Sequence, residues 1–233
     1  MACGMSAGPV PPADRRESRA AFALFLALGV FHFWGATVGW KSLNLPGAEF
    51  RESQTAISAY YIQQNHDFSL AYPTPVLGKP WSVPMEFPLY QWTVVGLSNA
   101  TGLDLTMAGR TVSLACFYLT LPAIFLLLGR LGLARPQRWL ALGFVLTCPL
   151  YIFFARAFLI ETMALMFSAW FLVAFLRAVE QRSASGLLGA NLFGAAAGLV
   201  KVTTFMLFLL PAGLAAGLAL WSVRPRPAVP GWK

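Results

Sequence analysis

The stretch AGRTVSLACFYLTLPAIFLLL, residues 108–128, decides the class of fold, because it carries one charged side chain in an otherwise apolar run. About 20 such residues in an α-helix cross the hydrocarbon core of a bilayer. Five further stretches have the same character: 20–40, 139–155, 162–178, 186–200 and 202–222. The segment 87–100 is shorter, and is either a thin span or an interfacial helix. We therefore expect an all-α, polytopic transmembrane helical bundle of about six or seven spans.

The composition favours the same class. The chain is 58% hydrophobic and only 11% charged, whereas a soluble domain carries roughly 25% charged residues. Its net charge of +8 comes from Arg and Lys scattered between apolar runs, which argues against a nucleic-acid-binding face. The three cysteines form no CxxC pair, and this argues against a disulfide framework or a zinc site.

The chain divides into a cytoplasmic tail over 1–19, a membrane module over 20–223 and a C-terminal tail over 224–233. The apolar run that begins near residue 20 is about twice as long as the h-region of a secretory signal, so we expect it to remain as the first helix. A large outer loop over 41–86, with interfacial helices, follows it. This loop holds four of the nine acidic residues, a concentration that indicates chemistry in water.

Basic residues predict the orientation, since they are enriched in cytoplasmic loops. They form four clusters: Arg15, Arg16 and Arg19; Arg130, Arg135 and Arg138; Arg177 and Arg182; Arg224 and Arg226. All four clusters lie on one side of the membrane only if the chain crosses the membrane once between Glu86 and Gly129. In that case the segment 87–100 would be interfacial or re-entrant. The outer side then receives the 41–86 loop, the turn 155–161 and Lys201.

Charges near or within spans are costly and are functional candidates by default. For Arg110, Arg156 and Lys201 the alternative is pairing with acids or snorkelling at helix ends. Glu52 lies in the first turn of a predicted helix, where the dipole favours an ionised carboxylate. That position suits a general base or a metal ligand in an outward-facing cavity, with simple helix capping as the alternative. Lys79 suits contact with a lipid phosphate or interfacial anchoring.

The order of these features resembles the GT-C superfamily of membrane glycosyltransferases: protein O-mannosyltransferases, aminoarabinose transferases acting on lipid A, and bacterial polysaccharide-associated relatives. The resemblance covers the chain from residue 20 onward and rests on an ordered set of segments. After one helix and an outer loop that opens with an acid come Glu86-Phe-Pro-Leu-Tyr-Gln-Trp92, Gly109-Arg110-x-x-Ser113, Pro149-x-Tyr151, Ala155-Arg-x-Phe-x-x-Glu161 and Gly198-Leu-Val-Lys201-x-Thr203.

The resemblance implies transfer of a hexosyl or pentosyl group from a polyprenyl-phosphate donor to a glycan, lipid or protein acceptor. The active face would be the outer face of a bacterial inner membrane. The catalytic acids implied are Glu52, with Glu49 as a nearby substitute, and Glu161. The cations implied are Arg110 and Lys201. We expect Arg51, Lys79 and Arg156 to bind substrate together with them.

The chain departs from the family pattern at two positions. Many relatives have an acidic pair where this chain has Arg51 before Glu52, and some have a lysine where it has Phe87. Relatives usually run much longer, so we expect an incomplete member.

The scheme requires no nucleotide, because a lipid phosphate leaves without one, and we assign no cofactor. A bound divalent ion is an alternative, although the sequence has no dense carboxylate cluster that would require one. Two other classes also stay open: a transporter component, and a non-catalytic scaffold subunit or inactive transferase fragment. We expect His32 to be buried and hydrogen-bonded, and His66 to be solvated.

Overall fold

A computed structural model of the chain describes residues 15–41, 49–74 and 86–223. Lys79, most of the N-terminal tail, the C-terminal tail and two stretches of the 41–86 loop lie outside these ranges. The described residues contain helices and no strands. The helices are α1 (Arg15–Thr37), α2 (Glu49–Asn65), α3 (Leu89–Thr101), α4 (Leu105–Arg130), α5 (Arg135–Thr147), α6 (Pro149–Phe154), α7 (Glu161–Gln181) and α8 (Ala184–Val223).

Four of these helices are long and apolar enough to cross a membrane. They are α1, α4, α7 and the part of α8 over Ala184–Trp221. The all-α class predicted from the sequence is confirmed, and the apolar helices agree with a membrane protein. Length and composition single out four candidate spans, so the predicted count of six or seven is not confirmed.

The structure divides the predicted span over 139–155 between α5 and α6. Cys148 has the extended backbone angles φ −67° and ψ 119°, and Pro149 follows it. Proline lacks an amide hydrogen and disfavours the helical conformation of the residue before it. With 13 residues, α5 is about 20 Å long, which is short of the roughly 30 Å hydrocarbon core.

A break at Lys201 divides α8 into two halves that fold back on each other. Lys201 has φ −162° and ψ 97°, which is extended rather than helical. A Cβ placed on Gly194 would lie 3.3 Å from Cζ of Phe205. In a continuous helix those residues would be about 16 Å apart along the axis, so the chain must reverse between them. The break separates the two segments predicted over 186–200 and 202–222.

Helix contacts define two ends of the bundle. Trp139 of α5 packs on Phe22 and Phe25 near the start of α1, and a Cβ on Gly35 would lie 3.3 Å from Ile152. Helices α5 and α6 together therefore run parallel to α1. By the same reasoning α4 runs parallel to α7, since the ring nitrogen of Trp170 donates to Leu119 O at 2.9 Å and Arg130 pairs with Glu180 at 3.2 Å.

We call the two ends the charged end and the basic end. The charged end holds the last residues of α1, the first residues of α4 and α7, and the break in α8. The basic end holds three of the four arginine clusters predicted to share a side; the fourth, Arg224 and Arg226, lies outside the described residues. Helices α2 and α3 cover the charged end through a buried cluster: Ala59, Ile62, Tyr90, Val94 and Val95.

Candidate functional site

Glu52 is buried at the charged end, in the first turn of α2. Only 2% of it is exposed, and its Oε1 accepts a hydrogen bond from the backbone N–H of Phe158 at 2.8 Å. Its charge also acts on Arg110 and Arg156. The expectation of an acid in an outward-facing cavity is therefore wrong for Glu52, because α2 lies with this face against the turn between α6 and α7.

Arg110 and Arg156 both bind main-chain carbonyls at the end of α1 and in the turn that follows it. Fully buried Arg110 donates from Nη1 to the carbonyls of Gly39 and Trp40, and Arg156 donates from Nη1 to those of Ala36 and Val38. The last carbonyls of a helix have no partner within the helix, and cations are favoured at this negative end of the dipole. Both arginines therefore close the end of α1 inside the bundle.

A network of four partly exposed charges lies beside this buried group. Lys201 Nζ is 2.6 Å from Oε1 of Glu161, and Arg51 Nη2 is 3.6 Å from the same oxygen and 3.8 Å from Oε1 of Glu86. Glu161 begins α7, where the helix dipole favours a carboxylate. Because it comes from α2, α7, α8 and the segment before α3, the network exists only in the folded bundle.

The main chain of Glu86 is fixed by hydrogen bonds, whereas its carboxylate has one ion pair within the described residues, at 3.8 Å from Arg51. Its carbonyl accepts a hydrogen bond from the hydroxyl of Tyr72 at 2.7 Å, and the next residue, Phe87, donates its N–H to Leu199 O at 3.3 Å. Burial raises the pKa of the Glu86 carboxyl above its ordinary value, and the charges of Arg51 and Lys201 partly oppose this effect. A carboxylate with a raised pKa is a stronger base.

A small polar cleft of about 20 Å3 opens next to the four-charge network. Its walls come from α2, α3 and the segments around Tyr72 and Glu86, and its lining side chains carry hydroxyl, amide or charged groups: Arg51, Gln54, Thr55, Ser58, Tyr72, Thr74, Glu86 and Gln91. Gln91 is 4% exposed, and its Oε1 has no hydrogen-bond partner among the described residues.

The structure brings together six of the eight residues singled out from the sequence: Arg51, Glu52, Arg110, Arg156, Glu161 and Lys201. Glu49 lies exposed one turn before Glu52, and Lys79 lies outside the described residues. Sequence reasoning missed Glu86 and Gln91 as members of the site. Glu86 was visible as an acid within the 41–86 loop, but nothing in the sequence indicated that Arg51 and Lys201 would lie next to it.

Two other predictions concern metals and histidine. Over residues 15–41, 49–74 and 86–223, no group of three or more His, Cys, Asp or Glu side chains could hold a metal ion. His32 is fully buried, and its Nδ1 is 2.9 Å from the hydroxyl of Tyr118. The expectation that it is a buried, hydrogen-bonded residue is confirmed.

Comparison with protein-family models, curated proteins and solved structures found no match to this chain.

Proposed function

We propose that the chain is a membrane glycosyltransferase that moves a sugar from a polyprenyl-phosphate donor to an acceptor hydroxyl at the charged end. The observation that carries the proposal is the four-charge network, in which two acids and two cations from distant segments meet on an apolar bundle. Ionisable groups within or beside membrane helices are rare and are candidates for a functional site. The resemblance of the ordered sequence segments to the GT-C superfamily supports the same function.

The topology that goes with this function has six crossings. They are α1, α4, α5 with α6, α7 and the two halves of α8, while α3 lies at the interface. Helices α5 and α6 run the length of α1 despite their break, which supports counting them as one crossing. The basic end then faces the cytoplasm by the positive-inside rule, and the charged end, with the large loop 41–86, faces outward.

In the reaction, Glu86 acts as the general base. It takes the proton of the acceptor hydroxyl while the acceptor oxygen bonds to the anomeric carbon of the donor sugar. The bond between that carbon and the phosphate oxygen breaks, and its electron pair stays on the lipid phosphate. Lys201 and Arg51 stabilise the negative charge that develops there, which is where positioned cations lower a barrier most.

The other predicted residues have positioning roles in this scheme. Glu161 orients Lys201 and Arg51, since both cations lie within 4 Å of its Oε1. Glu52, Arg110 and Arg156 hold the end of α1 and the turn before α7 in place. We assign the base to Glu86 rather than to Glu52 because Glu52 is buried and bonded to the main chain. Glu86 lines the cleft and its carboxylate is partly exposed.

A non-catalytic polytopic membrane protein is the second candidate function. The close pairing of Lys201 with Glu161 favours it, because an ion pair between helices can have a purely structural role. The small volume of the cleft favours it as well. A scaffold subunit or a transporter component would have the same charged end without transferring a sugar.

Sugar transfer by isolated membranes distinguishes the two functions. Membranes containing the chain are incubated with radiolabelled polyprenyl-phosphate hexose or pentose, and label in the acceptor fraction is compared with membranes that lack the chain. We expect transfer by the wild type and at least a 100-fold loss in Lys201→Met. Arg177→Met, at the basic end, is the control and should match the wild type. A folded wild type that transfers from no donor would support the non-catalytic function.

A further inference from the structure

Three of the side chains that line the polar cleft beside Glu86 offer acceptor oxygens: Thr55, Ser58 and Gln91. The hydroxyl of Thr55 donates to Arg51 O at 3.0 Å, and that of Ser58 donates to Gln54 O at 3.2 Å. Each hydroxyl therefore donates its only hydrogen bond within α2, and its oxygen can still accept one. Gln91 Oε1 is a further acceptor, and it has no partner in the part of the chain that the structure describes.

A buried acceptor without a donor is unfavourable, because it has lost its hydrogen bonds to water. Gln91 Oε1 is such an acceptor, and its side chain borders the cleft. A ligand that supplies O–H donors would satisfy it together with the lone pairs of Thr55 and Ser58. An apolar group would leave the acceptors unpaired.

We propose that this cleft binds one hydroxyl of a carbohydrate ligand and that Gln91 determines specificity for that hydroxyl. A cleft of about 20 Å3 holds roughly one water-sized group, so it takes a single hydroxyl while the ring lies outside. Because Glu86 lines the same cleft, the bound hydroxyl belongs to the acceptor sugar. The proposal deepens the transferase function and rests on it for the identity of the acceptor.

A pair of probes that differ in one hydroxyl tests the cleft directly. The purified full chain in lipid nanodiscs is titrated with methyl hexopyranosides, each paired with its deoxy analogues, and binding is followed by saturation-transfer NMR. A site that hydrogen-bonds a hydroxyl discriminates strongly against the analogue that lacks it. We expect the wild type to prefer one glycoside over one deoxy analogue by at least 10-fold.

Two variants assign that preference to the cleft. Gln91→Met keeps the side-chain length without the acceptor, and Thr55→Val removes a second acceptor from the same wall. We expect both variants to lose the preference. In Gln91→Met the affinities for the glycoside and its deoxy analogue should differ by less than 2-fold. Gln63→Leu is the matched control, because Gln63 donates to Ser98 and Asn99 instead of facing the cleft. It should keep the wild-type preference.

The outcomes separate this inference from the transferase function. If the wild type binds no glycoside, or if Gln91→Met and Thr55→Val both keep the preference, the inference is overturned. The inference would also be overturned if Gln91→Met transferred sugar from the polyprenyl-phosphate donor with the acceptor KM of the wild type. The transferase function would stand in that case. Selective glycoside binding without transfer from any donor would support the cleft and contradict the transferase.

Discussion

The carboxylate of Glu52 accepts the backbone N–H of Phe158 at 2.8 Å, across 106 positions of sequence. This one hydrogen bond joins the first turn of α2 to the turn between α6 and α7. The charge of Glu52 acts on Arg110 and Arg156. Arg156 binds a carbonyl in the last turn of α1, and Arg110 binds carbonyls just after the helix. Glu52 therefore links α1, α2, α4 and the α6–α7 turn at the charged end.

Replacing Glu52 should destabilise the bundle more than replacing Glu49. Glu52→Ala removes a hydrogen bond to a charged group and leaves buried Arg110 and partly exposed Arg156 without the carboxylate that acts on them, so we expect a loss of about 2 kcal/mol. Glu49→Ala changes an exposed residue of the same turn and should stay within about 0.5 kcal/mol. Denaturant unfolding in mixed micelles measures both, and equal losses would contradict the role of Glu52.

Gly109 should be intolerant of any side chain. A Cβ at this position would overlap the ring of Phe158, whose N–H binds Glu52, and the carbonyl of Gly109 also accepts from Tyr90 at 2.8 Å. We expect Gly109→Ala to lower the free energy of unfolding by roughly 1–3 kcal/mol, because the added methyl group overpacks the contact with Phe158.

Gly96→Ala is the matched control, because nothing lies within 4 Å of the added Cβ. Alanine is favoured over glycine inside a helix by about 1 kcal/mol, so this variant should be neutral or more stable. Thermal unfolding in detergent compares the two. A Gly109→Ala protein as stable as Gly96→Ala would show that Phe158 moves aside freely.

Much of the site could be predicted because its residues break an otherwise apolar pattern. Arg110, Arg156, Glu161 and Lys201 stand out in or beside apolar runs, and the distribution of basic residues predicted that they share an end. The division at Pro149 was also visible as a proline, yet hydropathy alone joined the two helices on either side of it.

The partners of those charges could not be predicted. Glu52 binds a main-chain N–H and Arg110 binds main-chain carbonyls, and every residue type carries those groups. Their positions depend on how α1, α2 and the α6–α7 turn pack. The roles of Glu86 and Gln91 were missed for the same reason, since their neighbours come from segments that are distant in sequence.

The stability of the bundle should depend on the protonation of Glu86. Burial raises its pKa above the ordinary 4.5, so the folded protein binds this proton more tightly than the unfolded chain. The free energy of unfolding should then fall as pH rises from about 4.5 through the raised pKa. In Glu86→Gln this component is absent, so the wild type should lose stability relative to the variant over that range. A difference that is independent of pH, or of opposite sign, would contradict the raised pKa.

Cysteine labelling tests the six-crossing topology. In a background with Cys3, Cys116 and Cys148 replaced by serine, single cysteines are placed at Gln64 in α2 and at Gln181, the last residue of α7. A membrane-impermeant maleimide should label position 64 in intact cells, whereas position 181 should react only after the cells are opened. Labelling of both positions from the same side would overturn the proposed orientation.

Sugar transfer by Glu86→Gln is the most direct test of the central claim. Membranes containing the wild type, Glu86→Gln or Glu180→Gln are given labelled polyprenyl-phosphate sugar, and initial rates are compared at equal protein levels. Glu180 pairs with Arg130 at the basic end, so its variant controls for the loss of an acid. The account predicts transfer by the wild type and Glu180→Gln, and a rate at least 100-fold lower in Glu86→Gln. Equal rates in all three would contradict the assignment of Glu86 as the base.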